Sequence, residues 1–278
     1  MDDLVTTDWL ARYLGADDLA IVDCSAFMPA DQRDGAAEFL AGHIHGARFL
    51  DIGEVSDKAN PAPHMLPPVK QFGATMVALG VGRDDRIVVY DNSPLRSAAR
   101  GWFMLRHFGA ERVAILDGGL QKWVREGRPL ESGAASPRQA RFDARPAPDV
   151  VSKAEVIANR DLPLADARGP ARFDGSEADP RPGIAAGHIP RARNLPFARL
   201  YRDDGTFKSG DALRAEFDAA GIDPLAPFIA SCGSGVTATS LIFAARMMGG
   251  RGQKLYDGSW GEWGADPATP KETGSAKA

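Results

Sequence analysis

An internal repeat constrains this sequence more than any other feature. Four segments of the first half have counterparts in the second half, about 140 to 145 residues further along the 278-residue chain. The separation drifts slowly, as expected when two copies of one unit gain or lose a few loop residues. The paired segments are residues 21–25 with 164–168, 42–46 with 187–191, 87–91 with 228–232, and 117–123 with 257–263. The sequence therefore predicts two similar domains that arose by duplication.

Each half alternates short apolar runs with apolar residues at helical spacing. In the first half, residues 19–24, 86–90 and 113–116 predict strands, and residues 69–79 and 97–108 predict helices. This alternation is typical of a mainly parallel sheet flanked by helices. We therefore expect an α/β fold with two tandem domains, residues 1–130 and 150–278, joined by a polar, Pro-containing linker at 131–149. The polar tail, residues 265–278, is expected to fray.

The second half places a cysteine where a strand is expected to end and a helix to begin. An apolar run leads into Cys232, and residues 237–246 predict a helix. Backbone N–H groups between them, and the positive end of the helix dipole, favour a thiolate and lower a cysteine pKa. The alternative is an inert buried cysteine beside a coincidental turn. The predicted anion-binding loop consists of Gly233, Ser234, Gly235, Val236, Thr237 and Ala238.

The loop Cys232-Gly-Ser-Gly-Val-Thr-Ala238 resembles the active-site loop of the 3-mercaptopyruvate sulfurtransferases, in the rhodanese superfamily. The likeness continues through residues 42–47, 63–67, 117–120, 187–190 and 256–260, and covers nearly the whole chain. It implies two rhodanese-like domains and sulfur transfer from 3-mercaptopyruvate, through a Cys232 persulfide, to a thiol or cyanide. The acceptor is expected to be a small thiol or a thioredoxin-like protein. No metal or organic cofactor is expected, because the cysteine itself carries the sulfur.

The resemblance also implies roles for four further residues. Arg172 and Arg181 match arginines that hold the carboxylate and carbonyl of the keto acid, a task suited to the planar guanidinium. His64 matches a histidine that reaches the serine at Ser234. Each of these residues could instead be an ordinary loop residue, with the two arginines simply solvated.

In the family that the chain resembles, this histidine and serine form a serine-protease-like triad with an acidic residue. The acidic member is missing here. The position that aligns with it is Gly53, which has no carboxylate to orient an imidazole. Glu54 or Asp51 could substitute if the loop shifts. The sequence therefore predicts a His64–Ser234 pair and leaves the third member open.

Only the second half contains the nucleophile, since the first half has Asp91 at the position of Cys232. An aspartate cannot form a persulfide, so the first domain is expected to be catalytically silent. Cys24 falls in a predicted strand and is expected to be an inert small apolar residue. His43 and His188 occupy equivalent points of the repeat, and we expect both to support loop structure by hydrogen bonding.

Several other functions are less well supported. Thiosulfate sulfurtransferase is the first alternative within the enzymes, but its dianionic donor favours basic residues beside the cysteine. A phosphatase requires an arginine closing the loop, where the chain has Ala238. A non-catalytic module that carries persulfide or docks a partner is the alternative outside the enzymes.

The composition and the hydropathy pattern of the sequence limit the possible partners and the cellular compartment. A net charge of −4 gives no reason to expect nucleic acid, and two cysteines make neither a disulfide framework nor a metal-type spacing. The sequence shows no signal-peptide pattern at its start and no apolar run of membrane-spanning length. We therefore expect a cytoplasmic location without membrane contact.

Overall fold

The computed structural model of the chain describes residues 1–159 and 161–275. They form two compact units. The first comprises Met1–Asp57, Leu66–Ala147 and Asp203–Thr206, and the second comprises Lys58–Met65, Pro148–Arg202 and Phe207–Ala278. A short segment around His64 thus belongs to the second unit, although the first half of the sequence supplies it.

The first unit alternates five strands with five helices. In chain order these are β1 (Leu4–Val5), α1 (Thr7–Tyr13), β2 (Leu19–Asp23), α2 (Gly35–Ala41), β3 (Ala47–Phe49), α3 (Val69–Ala78), β4 (Arg86–Tyr90), α4 (Ala98–His107), β5 (Val113–Leu116) and α5 (Gly119–Arg125). The strands pair in the order β1-β5-β4-β2-β3, and every pairing is parallel.

The second unit repeats this arrangement element by element. Its elements are β6 (Val150–Val151), α6 (Lys153–Ala158), β7 (Leu164–Asp166), α7 (Pro170–Asp174), β8 (Ala192–Asn194), α8 (Gly210–Ala219), β9 (Ile229–Ser231), α9 (Ala238–Met247), β10 (Lys254–Tyr256) and α10 (Ser259–Trp263). The sheet order is β6-β10-β9-β7-β8, again parallel throughout. The predicted α/β fold with two duplicated domains is confirmed.

Burial of apolar side chains on both faces explains why the central strands read as unbroken apolar runs. In the first unit Val88 and Tyr90 of β4 are fully buried and pack in a cluster with Leu10 and Trp123. In the second unit the corresponding cluster includes Ile229 of β9. The sheets therefore fix the strand ends, which is where Asp91 and Cys232 lie.

The predicted helices differ from the observed ones by about one residue at their ends. Residues 69–79, 97–108 and 237–246 were predicted, and α3, α4 and α9 are observed. The strands β1 and β3 were not predicted, because two or three residues are too few to show a period. Cys24 lies one residue beyond β2, where its amide still donates to the carbonyl of Tyr90 at 2.8 Å.

The described part of the polar tail makes backbone hydrogen bonds. Glu272 exchanges two backbone hydrogen bonds with His188, and the amide of Gly274 donates to the carbonyl of Asp174 at 2.8 Å. The corresponding bridge in the first unit joins Glu131 to His43. The duplication thus extends into the tail, where backbone pairing compensates for the lack of apolar residues. Residues 276–278 of the predicted tail lie outside the described residues.

No helix in the described part of the chain is long and apolar enough to cross a membrane.

Candidate active site

Cys232 lies between the end of β9 and the start of α9. The strand ends at Ser231, the helix begins at Ala238, and the Cys232 side chain is buried, with 1% of the residue exposed. Gly235 has φ of 75°, a conformation that favours glycine and lets the loop turn back toward the helix. The sequence thus builds a short, partly buried loop at the carboxyl end of a central strand.

Most backbone amides of this loop are available to a ligand. The N-cap residue Thr237 makes no side-chain capping hydrogen bond. Within residues 1–159 and 161–275, no acceptor receives the amides of Gly233, Ser234, Val236, Thr237 or Ala238. The amide of Gly235 is already engaged, since it donates to the hydroxyl of Ser259 at 3.1 Å. Five of the six predicted loop residues therefore have an N–H that donates to no acceptor in the described part of the chain, as an anion-binding loop requires.

Ser259 braces the loop, and the sequence reasoning did not identify it. Its buried Oγ accepts the amides of Cys232 and Gly235, both at 3.1 Å, and donates to the carbonyl of Tyr256 at 2.8 Å. Ser259 has φ of 51°, a left-handed conformation that is rare for a residue with a Cβ. The motif at residues 256–260 was visible in the sequence, but this contact 27 residues from Cys232 was not.

The equivalent loop of the first unit contains a carboxyl group instead of a thiol. Asp91 follows β4, and its two oxygens accept the amides of Ser93 at 2.9 Å and of Ala98, the first residue of α4, at 2.7 Å. Burial raises the pKa of Asp91, and these two hydrogen bonds oppose the rise. At the position of Ser259 this unit has Gly119, with φ of 55°. The amides at this helix start are thus satisfied internally.

His64 and Ser234 meet within the second unit. The Nδ1 of His64 lies 3.1 Å from the Oγ of Ser234, and His64 adopts a left-handed φ of 60°. The candidates for the missing acid, in contrast, belong to the first unit. There Asp51 accepts the amide of Glu54 at 3.0 Å, and so has a local role in the turn that contains Gly53.

Arg181 connects the Cys232 loop to the acidic residue Asp179. Its Nε and Nη2 donate to the two carboxylate oxygens of Asp179, each at 2.8 Å, and its Nη1 donates to the carbonyl of Gly233 at 3.0 Å. Burial raises the pKa of Asp179, but the guanidinium and amide of Arg181 donate to this carboxylate and hold its pKa below the ordinary value. The sequence reasoning named Arg181 and missed Asp179.

Arg172 lies at a more open position. It occupies the five-residue helix α7, its side chain is 38% exposed, and its Nε donates to Glu177 at 3.0 Å. The carboxylate of Glu177 is 55% exposed. Arg172 is thus paired with an accessible carboxylate that a substrate carboxylate could replace.

The other histidines and the second cysteine have structural surroundings. The Nδ1 of His43 donates to the carbonyl of Phe39 at 2.7 Å, and that of His188 donates to the carbonyl of Phe173 at 2.8 Å. The ring of His43 stacks on that of Phe39, and the ring of His188 stacks on that of Phe173, with ring centroids 3.9 Å apart in each pair. Cys24 is fully buried, and burial raises the pKa of its thiol well above the ordinary value, so it remains protonated and unreactive.

Two matches to one family model place the chain among known proteins. The rhodanese-like domain matches residues 6–126 and again residues 152–266. The chain belongs to the rhodanese family. Both copies of the rhodanese-like domain span the strand end and loop described above, one containing Asp91 and the other Cys232.

Rhodanese-family relatives resemble the chain over nearly its full length. The 3-mercaptopyruvate sulfurtransferase of Escherichia coli K12 is 42% identical over 273 residues, covering 96% of this chain and 97% of the relative. The human protein of the same name is 40% identical over 270 residues, covering 94% and 91%. The crystal structure of the E. coli sulfurtransferase SseA has a TM-score of 0.85 at 40% identity and covers 94% of this chain and 99% of that one.

The rhodanese-family loop can act on an electrophilic sulfur. A buried thiol beside uncapped helix amides suits a nucleophile that becomes an anionic persulfide. Arg181 adds a positive charge whose guanidinium touches the same loop. Among the described residues, no group of three or more His, Cys, Asp or Glu side chains could hold a metal ion.

Proposed function

We propose that the chain is a 3-mercaptopyruvate sulfurtransferase. It moves sulfur from 3-mercaptopyruvate through a persulfide on Cys232 to an acceptor thiol or cyanide, and it releases pyruvate. The observation that carries this proposal is the contact of Arg181 with the carbonyl of Gly233, next to the buried Cys232. It puts a carboxylate-binding side chain beside a nucleophile whose loop has no charged residue.

The first half-reaction follows from these groups. Arg172 and Arg181 bind the carboxylate and carbonyl of the keto acid. The thiolate of Cys232 attacks the sulfur, the carbon–sulfur bond breaks, and its electron pair passes to the enolate of pyruvate. The enolate requires one proton, which Ser234 delivers with His64 as its hydrogen-bonded partner. No acidic residue is assigned as a third member of the triad.

The second half-reaction uses the amides of the loop. The persulfide left on Cys232 loses its proton, and its outer sulfur carries the charge. The free N–H groups at the start of α9 stabilise that charge, since they need not reorganise to receive it. An acceptor thiol then removes the outer sulfur and restores Cys232. We propose a small thiol or a thioredoxin-like protein as this acceptor.

We infer a supporting role for the first half from the same features. Its loop has Asp91 where the second has Cys232, and the Asp91 carboxyl occupies amides that a persulfide would need. We propose that residues 1–130 form a silent domain, which lends only the segment around His64 to the second unit, and that residues 150–278 form the catalytic one, connected by residues 131–149.

Thiosulfate is the second candidate donor. Its leaving group is the sulfite anion, which needs positive charge close to the reacting sulfur, whereas the charge of Arg181 is already paired with the carboxylate of Asp179. Gly233 and Ser234 supply none, so the keto acid is favoured. The decisive measurement is kcat/KM for 3-mercaptopyruvate against that for thiosulfate, and a higher value for thiosulfate would reverse the assignment.

The nucleophile is tested by mass spectrometry. After treatment with 3-mercaptopyruvate, the wild-type protein should carry one added sulfur on the peptide that contains Cys232. Cys232→Ser should abolish both the added mass and pyruvate release while leaving the fold intact. Sulfur found on Cys24 would exclude this mechanism.

The arginines are tested by truncation. Arg172→Ala and Arg181→Ala should each lower kcat/KM for 3-mercaptopyruvate by about 1.5–3 kcal/mol in transition-state binding, the range for hydrogen bonds to charged groups. The loss should be smaller with thiosulfate, which has no carboxylate. Normal use of 3-mercaptopyruvate by both variants would place the carboxylate site elsewhere.

A further inference from the structure

Asp179 holds Arg181 by both its side chain and its backbone. One carboxylate oxygen accepts the amide of Arg181 at 3.0 Å and its Nε at 2.8 Å, and the other accepts Nη2 at 2.8 Å. Pro180 lies between the two residues and restricts the backbone there. Only 4% of the Asp179 side chain is exposed. The guanidinium plane of Arg181 is therefore fixed by a buried carboxylate.

The far edge of the same guanidinium contacts the cysteine loop. The carbonyl of Gly233 accepts Nη1 of Arg181 at 3.0 Å and the amide of Gly261 at 2.9 Å. A Cβ at Gly261 would lie 2.7 Å from this Nη1 and 2.9 Å from this carbonyl oxygen. The absence of a side chain at Gly261 thus leaves the space that the guanidinium needs.

Arg181 retains two donors for a substrate. An arginine has five N–H groups, and three of those of Arg181 are engaged by Asp179 and Gly233. The remaining two, one on each terminal nitrogen, have no acceptor in the described part of the chain. Their direction is set by the bonds that the other three make.

The pairing of Arg172 differs in each of these respects. Glu177 accepts only Nε of Arg172, at 3.0 Å, and 55% of its side chain is exposed. An exposed single contact of this kind contributes little to orientation. The two arginines thus differ in rigidity, and only Arg181 is tied to the loop.

We propose that Asp179 is a positioning residue that orients Arg181 so that a keto-acid donor presents its sulfur to Cys232. This inference rests on the proposed function. Asp179 touches no substrate atom and acts through Arg181 alone. Because thiosulfate has no carboxylate for Arg181 to orient, Asp179 should matter for keto-acid donors and much less for thiosulfate.

The first experiment compares three substitutions. Asp179→Asn keeps the size of the side chain but removes the charge, and should lower kcat/KM for 3-mercaptopyruvate about tenfold, mainly through kcat, because Arg181 keeps its charge but loses its orientation. Asp179→Glu keeps the carboxylate and should recover most of that loss. The matched control is Glu177→Gln, which should leave kcat within about twofold, since its contact is exposed.

A double-mutant cycle separates positioning from general structural damage. In an Arg181→Ala background, adding Asp179→Asn should change kcat/KM less than about twofold, because the group through which Asp179 acts is gone. Thiosulfate turnover should change less than about threefold in all four proteins. Additive losses in the cycle, or equal losses with both donors, would overturn the proposal.

A chemical probe tests the same coupling without sulfur transfer. The rate of Cys232 alkylation by iodoacetate, divided by that for neutral iodoacetamide, reports how the guanidinium faces an incoming carboxylate. The ratio should fall at least about threefold in Arg181→Ala and in Asp179→Asn, and no further in the double variant. A ratio unchanged by Asp179→Asn would overturn the proposal. Coupling in this ratio without wild-type turnover of 3-mercaptopyruvate would disprove the proposed donor while the positioning role stands.

Discussion

The serine that braces the cysteine loop provides the most direct test of how this site is built. Ser259→Ala removes the oxygen that accepts the amides of Cys232 and Gly235 and donates to the carbonyl of Tyr256. The alanine still has to adopt the left-handed φ of 51°. Ser259→Gly loses the same oxygen but relieves the backbone. Comparing the two separates the hydrogen bonds from the strain.

The expected magnitudes follow from these contacts. A buried amide left without an acceptor costs about 1–3 kcal/mol, so two such amides destabilise the loop by about 2–6 kcal/mol in Ser259→Ala. Glycine recovers about 1–2 kcal/mol, the cost of a left-handed conformation for an L-residue. About 2 kcal/mol lost from the transition state corresponds to about a thirtyfold lower rate. Ser259→Ala should therefore be the more damaging substitution.

Two assays measure this prediction. Turnover of 3-mercaptopyruvate should fall at least about thirtyfold in Ser259→Ala and less in Ser259→Gly. Hydrogen exchange in the loop peptide should accelerate in the same order, because exchange reports local opening. The matched control is Ser231→Ala, since the buried hydroxyl of Ser231 has no hydrogen-bond partner among the described residues. That variant should behave as wild type in both assays.

Either of two results would refute this role of Ser259. Wild-type turnover in Ser259→Ala would mean that the loop amides need no brace. A glycine variant worse than the alanine variant would mean that the left-handed backbone at Ser259 stores no strain.

Three further predictions concern donor choice, substrate binding and pH. Gly233→Arg with Ser234→Lys should shift the ratio of kcat/KM values toward thiosulfate at least about tenfold, because added positive charge stabilises departing sulfite. Ser234→Ala alone should slow turnover of 3-mercaptopyruvate without speeding turnover of thiosulfate. An unchanged ratio in the double variant contradicts this prediction. Glu177→Gln should lower KM for 3-mercaptopyruvate about two- to fivefold, since the substrate carboxylate no longer competes for Arg172, and steady-state kinetics showing a higher KM would contradict it. Burial raises the pKa of Asp23 from 3.8 to about 6, so its contribution to stability is full below pH 3.8 and is lost as the pH rises through about 6. Asp23→Asn should therefore gain stability relative to wild type between pH 4.5 and 7.5, by about 2 kcal/mol, and a thermal-unfolding difference independent of pH would exclude this.

The sequence predicted the repeat, the fold and the cysteine loop because each leaves a local pattern. The helix at residues 97–108, for example, is recognisable from apolar spacing alone, and α4 follows it within one residue at each end. The strand β1 was missed because Leu4 and Val5 are too few to form a pattern. Its pairing with β5 is a tertiary contact that only the folded sheet supplies.

The supporting residues of the site were harder to predict than the residues they support. Ser259 acts through a positive φ and two amides of a loop 27 residues away, neither of which is written in the residue type. Asp179 did leave a local signal, since an acid two residues before Arg181, across a proline, can accept both its amide and its guanidinium. Only the folded chain shows that the other edge of this arginine touches Gly233.

The carboxyl group of Asp91 allows the loop of the first unit to be compared with the Cys232 loop of the second unit. In the proposed mechanism, negative charge at this position of the second copy forms and disappears with each turnover, whereas in the first copy the carboxyl group is a permanent part of the Asp91 side chain. Its contacts, 2.9 Å to the amide of Ser93 and 2.7 Å to the amide of Ala98, show which amides of such a loop reach a carboxyl group at this position. Counted from the residue that follows the strand, the amide of Ser93 matches that of Ser234, and as the first residue of its helix Ala98 matches Ala238. One duplicated chain thus contains a loop with a carboxyl group and a matching loop with a thiol, and the contacts of the carboxyl group suggest where we propose that the outer sulfur of a persulfide rests.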